Sequence, residues 1–271
     1  MPELPEVETI RRQLAPRVVG RTVVDVDTHP SPKFAPARAT RGATVTDLRR
    51  RGKYLLAGLD DGRELIVHLG MTGRLAVETP ADDPPTGERP HLRAWWRFDD
   101  GSALTFTDIR RFGRLAVVPR GDHRRLPTLA RLGPEPFDPT LEAATLHRAL
   151  ASSRRAVKTQ LLSQRPVAGV GNIYADEALW DAGINPVARR LSVSRSARLL
   201  DALRAALASG LRLGGTTLRD YRDADGHTGR NQDELRCYGR AGQPCLRCGT
   251  LLRRRLVDGR GTTWCPRCQR R

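Results

Sequence analysis

The chain has 271 residues, 39% of them apolar, with 47 Lys and Arg against 30 Asp and Glu, a formal net charge of +17. No run approaches the roughly 18 apolar residues of a membrane span. The first thirty residues lack the apolar core of a secretory signal, so membrane and secreted proteins are excluded and a cytoplasmic location is expected. The excess of basic residues along the whole chain indicates a polyanionic partner such as nucleic acid. A solvated cationic surface is the alternative interpretation.

The N-terminal part, residues 1–119, predicts one helix followed by strands. Pro5 suits the first turn of a helix, and Glu6 and Glu8 favour the positive end of its dipole. Seven short strand-like runs follow, separated by turn signals. They cover residues 22–28, 44–49, 54–59, 64–69, 92–98, 103–107 and 114–118. Such closely spaced short strands predict a β-sandwich or a barrel.

A proline-rich linker at 120–139 leads into a helical domain at 140–228. Asp138 is placed to cap the first helix, with Pro139 at its first position. Further helices are predicted at 155–164, 173–182 and 194–212. In the last of these, leucines recur at four-residue spacing, which is typical of a core-facing stripe.

Four of the five cysteines lie in the last 27 residues, as two Cys-x-x-Cys pairs separated by sixteen residues. They are Cys245, Cys248, Cys265 and Cys268. This spacing supplies four thiolates for one tetrahedral, structural zinc ion, with a redox pair as the alternative. A hairpin between the pairs completes a zinc-finger module at 236–270. Cys237 is left over and is interpreted as a small, partly buried thiol.

Several sequence blocks carry a family resemblance. They are PELPEVET at 2–9, KYLL at 53–56, HLGMTG at 68–73, TDIRRFG at 107–113 and GVGNIYA at 169–175. In this order, and followed by the zinc module, they resemble the bacterial formamidopyrimidine-DNA glycosylase family of base-excision repair enzymes. The resemblance implies an α+β fold with an N-terminal β-sandwich and flanking helix, a helix–two-turns–helix domain and a C-terminal zinc-finger β-hairpin.

The resemblance also implies an activity and a substrate. The expected enzyme is a bifunctional DNA glycosylase and apurinic/apyrimidinic lyase that removes oxidised purines, formamidopyrimidines and 8-oxoguanine, from duplex DNA. Its expected partner is double-stranded DNA with oxidised bases or abasic sites, and it is expected to be a monomer associated with the bacterial nucleoid.

Catalysis is assigned by the resemblance to Pro2, Glu3 and Lys53. Removal of Met1 would leave Pro2 as a secondary amine, and an α-amino group with a pKa near about 8 keeps a neutral fraction that can attack the anomeric carbon of the sugar. A helix N-terminus would lower the pKa of this amine, whereas Glu3 and Glu6 would raise it. Glu3 matches the acid that protonates the ring oxygen. Lys53 matches a proton donor in β-elimination, with phosphate binding as a second, compatible role.

An amine nucleophile has a chemical consequence for the DNA strand. The iminium acidifies the neighbouring sugar proton, so elimination of the 3′ phosphate and then of the 5′ phosphate becomes accessible. A glycosylase of this kind is therefore expected to be a lyase as well. In the family, an arginine of the zinc hairpin grips a phosphate and is implicated in the second elimination, and Arg260, directly after the Asp258-Gly259 turn, matches it.

The remaining candidates are DNA contacts. Met71 and Phe112 match wedge residues that fill the gap left by an extruded nucleotide, and Arg110 matches the residue facing the orphaned base. An isolated Met or Phe is more often a core residue, but the glycine-flanked motifs favour the wedge. Asn172 follows Gly169-x-Gly171, where a helix start can present N–H groups to a phosphate. Further DNA-contacting positions are matched by His91, Arg154 and Lys158.

The sequence departs from the family pattern in one loop and at Cys237, which stands where the family usually has an aliphatic residue. Residues 216–232 correspond to the loop that closes over the flipped base, and they lack the aromatic residues that commonly follow its second glycine. Lesion preference is therefore left open. One alternative is an endonuclease VIII-like enzyme for oxidised pyrimidines, which Leu4 and the separated wedge residues disfavour. The other is a non-catalytic damaged-DNA-binding homologue, which the intact Pro2, Glu3 and Lys53 disfavour.

Overall fold

The structure is a computed structural model that describes residues 2–78 and 89–270; Met1, with its predicted removal, lies outside them. The chain divides into two compact units. The first comprises Met1–Ala130 and Leu213–Arg230, and the second comprises Arg131–Arg212 and Asn231–Arg271. The predicted helical domain ran to residue 228, whereas this division groups the last part of that range with the N-terminal sheets. The sequence-based domain boundaries remain a prediction.

The first unit begins with helix α1, Leu4–Val18. Its apolar residues recur every three or four positions, so they form one stripe that faces the core. The stripe consists of Val7, Ile10, Leu14 and Val18, each at most 4% exposed. Burial of side chains of this size contributes roughly 1.5–3 kcal/mol each, which holds the helix against the sheets.

In the described part of the first unit, eight strands form two antiparallel sheets of four. They are β1 Val23–Thr28, β2 Val45–Arg51, β3 Tyr54–Leu59, β4 Arg63–His68, β5 Gly73–Glu78, β6 Leu92–Phe98, β7 Ala103–Asp108 and β8 Arg114–Pro119. The strand orders are β1-β6-β7-β5 and β2-β3-β4-β8. Side chains from both sheets share one core with α1, which is the predicted sandwich.

Strand register brings two connections together. The end of β4 pairs His68 with Arg114 of β8, and the start of β5 pairs Gly73 with Asp108 of β7. The short segments 69–72 and 109–113 therefore leave their strands at the same place. These segments carry three of the predicted DNA contacts.

The second unit is helical with a C-terminal hairpin. Its helices are α3 Ala143–Ala151, α4 Val157–Leu162, α5 Asn172–Asp181 and α6 Val193–Arg212, after the short α2 Pro127–Ala130 that belongs to the first unit. The hairpin consists of β9 Arg253–Val257 and β10 Arg260–Trp264. Short 3-10 turns cover Ala35–Thr40 and Asn231–Glu234. The predicted α+β class with sandwich, helical region and zinc-finger hairpin is confirmed.

Local predictions differ from the structure in two places. All seven predicted strands are present with ends shifted by at most two residues, but β5 was missed because it directly follows the HLGMTG loop motif. The predicted cap of α3 is wrong: the helix begins at Ala143 after Glu142. Asp138 instead accepts the backbone N–H and the hydroxyl of Thr140, at 2.8 and 2.6 Å, and so closes a turn before the helix.

Candidate active site

The N-terminus of α1 is buried and polar. Pro2 is buried, and Glu3 and Glu6 are 2% and 1% exposed. The Glu6 carboxylate accepts the backbone N–H of Glu3 at 2.7 Å, in a capping-box arrangement that satisfies an orphan donor of the first turn. The structure thus fixes the backbone of Glu3, directly after Pro2, to the helix that follows.

Glu6 makes a second bond that sequence reasoning did not foresee. Its other carboxylate oxygen accepts the backbone N–H of Thr216 at 2.7 Å. Gly215 has φ +92°, and a Cβ there would lie 2.8 Å from Glu6 Cγ. The Tyr221 hydroxyl donates to the carbonyl of Gly214 at 3.1 Å. The segment matched to the lesion-closing loop therefore starts in close contact with the helix that carries Pro2 and Glu3.

The same segment is fastened to α1 further along. Gln13 donates to the Asp223 carboxylate at 2.9 Å and accepts the N–H of Ala224 at 3.0 Å. Arg17 forms an ion pair with Asp225 at 2.6 Å. The Gln13 amide and the Arg17 guanidinium thus fasten the middle of this loop to α1.

Lys53 lies in the turn between β2 and β3 and is 5% exposed. The ring of the next residue, Tyr54, packs against that of His68 in a tilted arrangement, with the ring centroids 4.7 Å apart. Burial, and to a smaller extent the positive charge of Lys53, lower the pKa of His68 to about 4, while Asp108 acts in the opposite direction. His68 is therefore neutral at pH 7, and its Nδ1 accepts the N–H of Gly70 at 3.2 Å.

The segments that carry Met71 and Phe112 are joined through Asp108, which is fully buried. One oxygen of its carboxylate accepts the Thr72 hydroxyl at 2.6 Å, and the other accepts the N–H of Gly113 at 2.7 Å. The Thr72 hydroxyl oxygen in turn accepts the N–H of Arg110 at 3.0 Å. These bonds hold the two candidate wedge segments side by side.

The candidate wedge residues themselves are accessible. Phe112 is 51% exposed, and the Arg110 guanidinium lies 4.7 Å from the centroid of its ring. Met71 is half-buried, and His91 is exposed with φ 69°. An exposed Phe beside an Arg is accessible to a ligand, since neither side chain is buried in the hydrophobic core.

In the second unit, Asn172 begins α5 after Gly171, as predicted within one residue. Its side-chain nitrogen donates to the carbonyl of Gly261 in the hairpin at 3.0 Å, while its Oδ1 is buried without a protein hydrogen-bond partner among the described residues. Arg154 and Arg260 are exposed, Arg260 being the first residue of β10. Asn172 and the hairpin that carries Arg260 are therefore directly linked.

The prediction that Lys158 contacts DNA is wrong as a direct contact. Lys158 is fully buried, and its ammonium forms an ion pair with Asp176 at 2.6 Å. It also donates to the hydroxyl of Thr262 at 2.8 Å and to the carbonyl of Gly261 at 3.2 Å. Asp176 further accepts the N–H of Thr263 at 2.9 Å. Lys158 of α4 thus links Asp176 of α5 to the hairpin, and its ammonium is surrounded by these protein groups.

The four predicted zinc ligands come together. The sulfur atoms of Cys245, Cys248, Cys265 and Cys268 all lie within 4.8 Å of one another. Tetrahedral Zn–S bonds of about 2.3 Å require sulfur atoms about 3.8 Å apart, so the set fits zinc. Trp180 donates to the sulfur of Cys245 at 3.4 Å, and the N–H of Cys268 donates to that of Cys265 at 3.3 Å, which suits anionic ligands. Four thiolates complete the coordination shell, so this zinc is structural.

Cys237 is fully buried and takes no part in that group of ligands. Its thiol donates to the carbonyl of Thr263 at 3.1 Å, and burial raises its pKa. The buried Glu177 carboxylate accepts the backbone N–H groups of three consecutive residues, Arg236, Cys237 and Tyr238, at 2.9, 2.8 and 2.7 Å. The prediction was a small, partly buried thiol, whereas the structure buries Cys237 completely.

None of the helices that the structure describes combines the length and the apolar composition that a membrane span requires.

Three family models match this chain. They are the formamidopyrimidine-DNA glycosylase N-terminal domain at residues 1–115, the formamidopyrimidine-DNA glycosylase H2TH domain at 132–222, and the zinc finger found in FPG and IleRS at 242–271. Together they cover most of the sequence.

Curated proteins and solved structures give the same result. A protein named formamidopyrimidine-DNA glycosylase from Thermomicrobium roseum is 45% identical to this chain, and the match covers 99% of both chains. A protein of the same name from Thermus thermophilus is 47% identical, and the match covers 99% of this chain and 98% of the relative. The crystal structure of the MutM (Fpg) protein of Thermus thermophilus superposes with a TM-score of 0.91 at 46% identity, covering 99% of this chain and 98% of that one. A Lactococcus lactis FPG variant in complex with Fapy-dG-containing DNA has a TM-score of 0.89 at 35% identity, and the match covers both chains completely.

Proposed function

The chain belongs to the formamidopyrimidine-DNA glycosylase family of DNA repair enzymes, and from this premise we propose that it removes oxidised purines from duplex DNA and then cleaves the strand as an apurinic/apyrimidinic lyase. The observation that carries the proposal is the buried N-terminus of α1, where Glu3 and Glu6 are held by hydrogen bonds beside Pro2. The secondary amine supplies a nucleophile for the sugar, and the carboxyl groups beside it supply an acid.

The first step uses Pro2 after removal of Met1. Its nitrogen attacks C1′ of the damaged nucleotide, and the glycosidic bond between C1′ and the base breaks. The departing base takes up the proton that the amine nitrogen loses. Glu3 protonates the ring oxygen as the sugar opens, which leaves an iminium between C1′ and Pro2. The positive end of the α1 dipole favours the neutral, nucleophilic amine, whereas the carboxylates of Glu3 and Glu6 favour its protonated form.

Strand cleavage follows from the iminium. Loss of a proton from C2′ expels the 3′ phosphate, and a second elimination expels the 5′ phosphate. Lys53 is the proposed proton-transferring group of the first elimination, and Arg260 the proposed phosphate ligand of the second.

The proposal assigns DNA contacts to residues within each unit. Met71 and Phe112 fill the gap left by the extruded nucleotide, and Arg110 contacts the unpaired base on the opposite strand. His91, Arg154 and Asn172 contact phosphates. The arginine-rich composition supplies the electrostatic part of the affinity. We also propose that the enzyme works as a monomer on chromosomal DNA in the bacterial cytoplasm.

Borohydride trapping tests the chemistry. Reduction of the iminium on duplex DNA with 8-oxoguanine opposite cytosine converts it into a stable protein–DNA adduct, which wild type is expected to form. Pro2→Gly and Glu3→Gln should lose or strongly reduce it, while Glu234→Gln, an exposed carboxyl in the second unit, should not. Mass spectrometry of the intact protein determines whether Met1 has been removed.

The outcomes separate the candidate functions. An adduct on an abasic site but none on 8-oxoguanine would retain the lyase and replace the oxidised purine by the pyrimidine lesions of the endonuclease VIII-like alternative. No adduct on either substrate, from protein with a verified Pro2 terminus, would contradict the Schiff-base mechanism and leave a DNA-binding protein.

A further inference from the structure

A groove of about 880 Å³ in the second unit is lined largely by arginines. It lies between the start of α4, the segment after α5 and strand β9. Its charged residues are Arg154, Arg155, Arg189, Arg190, Arg195, Arg255 and Asp258. Apolar groups, among them Ala156, Val187 and Leu256, complete the lining. Six positive charges against one negative charge are concentrated in this groove.

The charge is not compensated within the protein. The one carboxylate, Asp258, is already bound by Arg155 at 3.2 Å and by the hydroxyl of Thr159. Within residues 2–78 and 89–270, no carboxylate lies within 4.0 Å of the other five guanidinium groups. Such a concentration of like charge destabilises the free protein through self-repulsion, and an anionic ligand would relieve it.

The shape and position of the groove favour an extended anion. Each DNA strand carries one charge every 3.4 Å or so, so one strand can meet several arginines at once. Arg260, the proposed phosphate ligand, follows the groove residue Asp258 by two positions, which places their Cα atoms at most about 7 Å apart. That distance is about two base-pair steps along the duplex axis.

We propose that this groove binds the phosphodiester backbone of the DNA that flanks the lesion, independently of any damage. Its guanidinium groups come from the segment before α4, the segment between α5 and α6, the first turn of α6 and strand β9. Contacts from these groups to phosphates carry no sequence information. The groove then supplies lesion-independent affinity, which allows the enzyme to remain on undamaged DNA during its search. The inference rests on the proposed DNA substrate, but not on the Schiff-base chemistry.

The double substitution Arg189→Ser/Arg190→Ser tests the groove. Both residues are exposed and adjacent in sequence. The matched control is Arg124→Ser/Arg125→Ser, which removes the same charge from an exposed arginine pair in the first unit. Binding to a lesion-free duplex is measured by fluorescence anisotropy over a range of salt concentrations, with zinc content and circular dichroism as checks of folding.

The groove variant is expected to reduce the slope of log K against log salt concentration by about 2, because each lost phosphate contact lowers it by about 1. The control should change the slope by much less. Equal slopes for the groove variant and wild type, or equal losses for both variants, would overturn the proposal.

Two competitors identify other occupants. One contrary outcome is that inorganic phosphate or an acidic peptide binds wild type and binds Arg189→Ser/Arg190→Ser less tightly, while duplex binding is unchanged. In that case the groove is a site for a small anion or a protein, and the proposal is wrong.

Lesion-free DNA cannot form an iminium, so this experiment is independent of trapping. A groove that binds DNA in a protein that fails to trap would contradict the proposed chemistry alone.

Discussion

Glu6 accepts the backbone N–H of Thr216 at 2.7 Å across a sequence separation of 210 residues. The second oxygen of the same carboxylate accepts the N–H of Glu3. A single buried side chain thus joins the first turn of α1 to the beginning of the segment matched to the lesion-closing loop. A carboxylate suits this position, because both of its oxygens accept hydrogen bonds and neither donates.

Glu6→Gln is expected to break one of the two bonds, because an amide presents one acceptor and one donor group. A buried N–H without an acceptor costs about 1–3 kcal/mol, so the free energy of unfolding should fall by that amount in urea titrations. The single-turnover rate of base removal should fall as well. Glu234→Gln is the control, and a Glu6→Gln protein as stable as this control would contradict the role assigned to Glu6.

Gly215→Ala should disturb the same contact from the other side. A Cβ at this position would lie 2.8 Å from Cγ and 2.9 Å from Oε1 of Glu6, so the carboxylate must move away from Thr216. Gly214→Ala is a matched control, since Gly214 also has a positive φ but an added Cβ meets nothing within 4 Å. The left-handed backbone costs each variant about 1–2 kcal/mol.

Trapping yields measured for these two variants separate the effect of backbone strain from the effect of displacing the Glu6 carboxylate. Gly214→Ala should retain most of the adduct, whereas Gly215→Ala should resemble Glu6→Gln. Equal yields for Gly214→Ala and Gly215→Ala would show that the position of Glu6 does not influence the N-terminus.

The sequence sufficed for features that depend on local signals. The Cys-x-x-Cys pairs predicted the zinc ligands because the ligands of each pair are close in the chain, and strand runs bounded by turns predicted seven strands of the sandwich. Asn172 was placed at a helix start from its preceding glycines. Each of these inferences uses residues within a few positions of one another.

Contacts between distant segments could not be predicted in this way. Lys158 matches a DNA-contacting position, but its partner Thr262 is 104 residues away, and no local pattern indicates that the ammonium is buried. Asp108 stood in the TDIRRFG block without a role, because its partner Thr72 lies on a connection 36 residues earlier. The Glu6–Thr216 bond belongs to the same class.

His68 should make stability depend on pH. Its pKa in the folded protein is lowered to about 4 from an ordinary value of 6.5, so the unfolded chain binds more protons between these values. The contribution of neutral His68 to the free energy of unfolding is therefore fully present above about pH 6.5. It decreases as the pH falls towards 4, by up to about 3 kcal/mol. Urea unfolding at pH 7.5 and 5 measures the loss.

Other groups titrate over the same range, so the comparison must be made with a variant. His68→Gln keeps an acceptor for the N–H of Gly70 but does not ionise. The stability lost by wild type between pH 7.5 and 5 should exceed the loss in His68→Gln. Parallel losses would show that the neutral imidazole contributes nothing to the pH dependence.

Loss of zinc should weaken DNA binding more than it affects the first unit. Cys265→Ser removes one of four thiolates, and a structural site of this kind contributes directly to folding of its module. Zinc content by mass spectrometry should fall from one ion per chain, and affinity for duplex DNA should fall at least about tenfold because Arg260 loses its support. Unchanged affinity after verified zinc loss would contradict the role of the hairpin.

Cys237→Ala provides the control for this experiment. It removes a buried thiol that donates only to the carbonyl of Thr263, at a cost of about 1 kcal/mol. Zinc content should remain at one ion per chain and DNA affinity should stay near that of wild type. A loss of zinc in Cys237→Ala would mean that the fifth cysteine supports the metal site.

Lys158→Met distinguishes an internal ion pair from a DNA contact. The substitution leaves the Asp176 carboxylate buried without its ammonium, which costs about 3–5 kcal/mol, and Lys158→Met/Asp176→Asn should recover most of this loss. Burial raises the pKa of Asp176 to about 6 even with Lys158 present. The loss of stability in Lys158→Met should therefore grow as the pH rises from 5 to 8, since protonation of Asp176 relieves the unpaired charge at low pH.

DNA binding by the same variants is measured at a temperature where all of them are folded. The salt dependence of binding to lesion-free duplex by Lys158→Met and by the double variant should equal that of wild type. A slope reduced by about 1 in both Lys158→Met and the double variant would instead return Lys158 to the DNA interface.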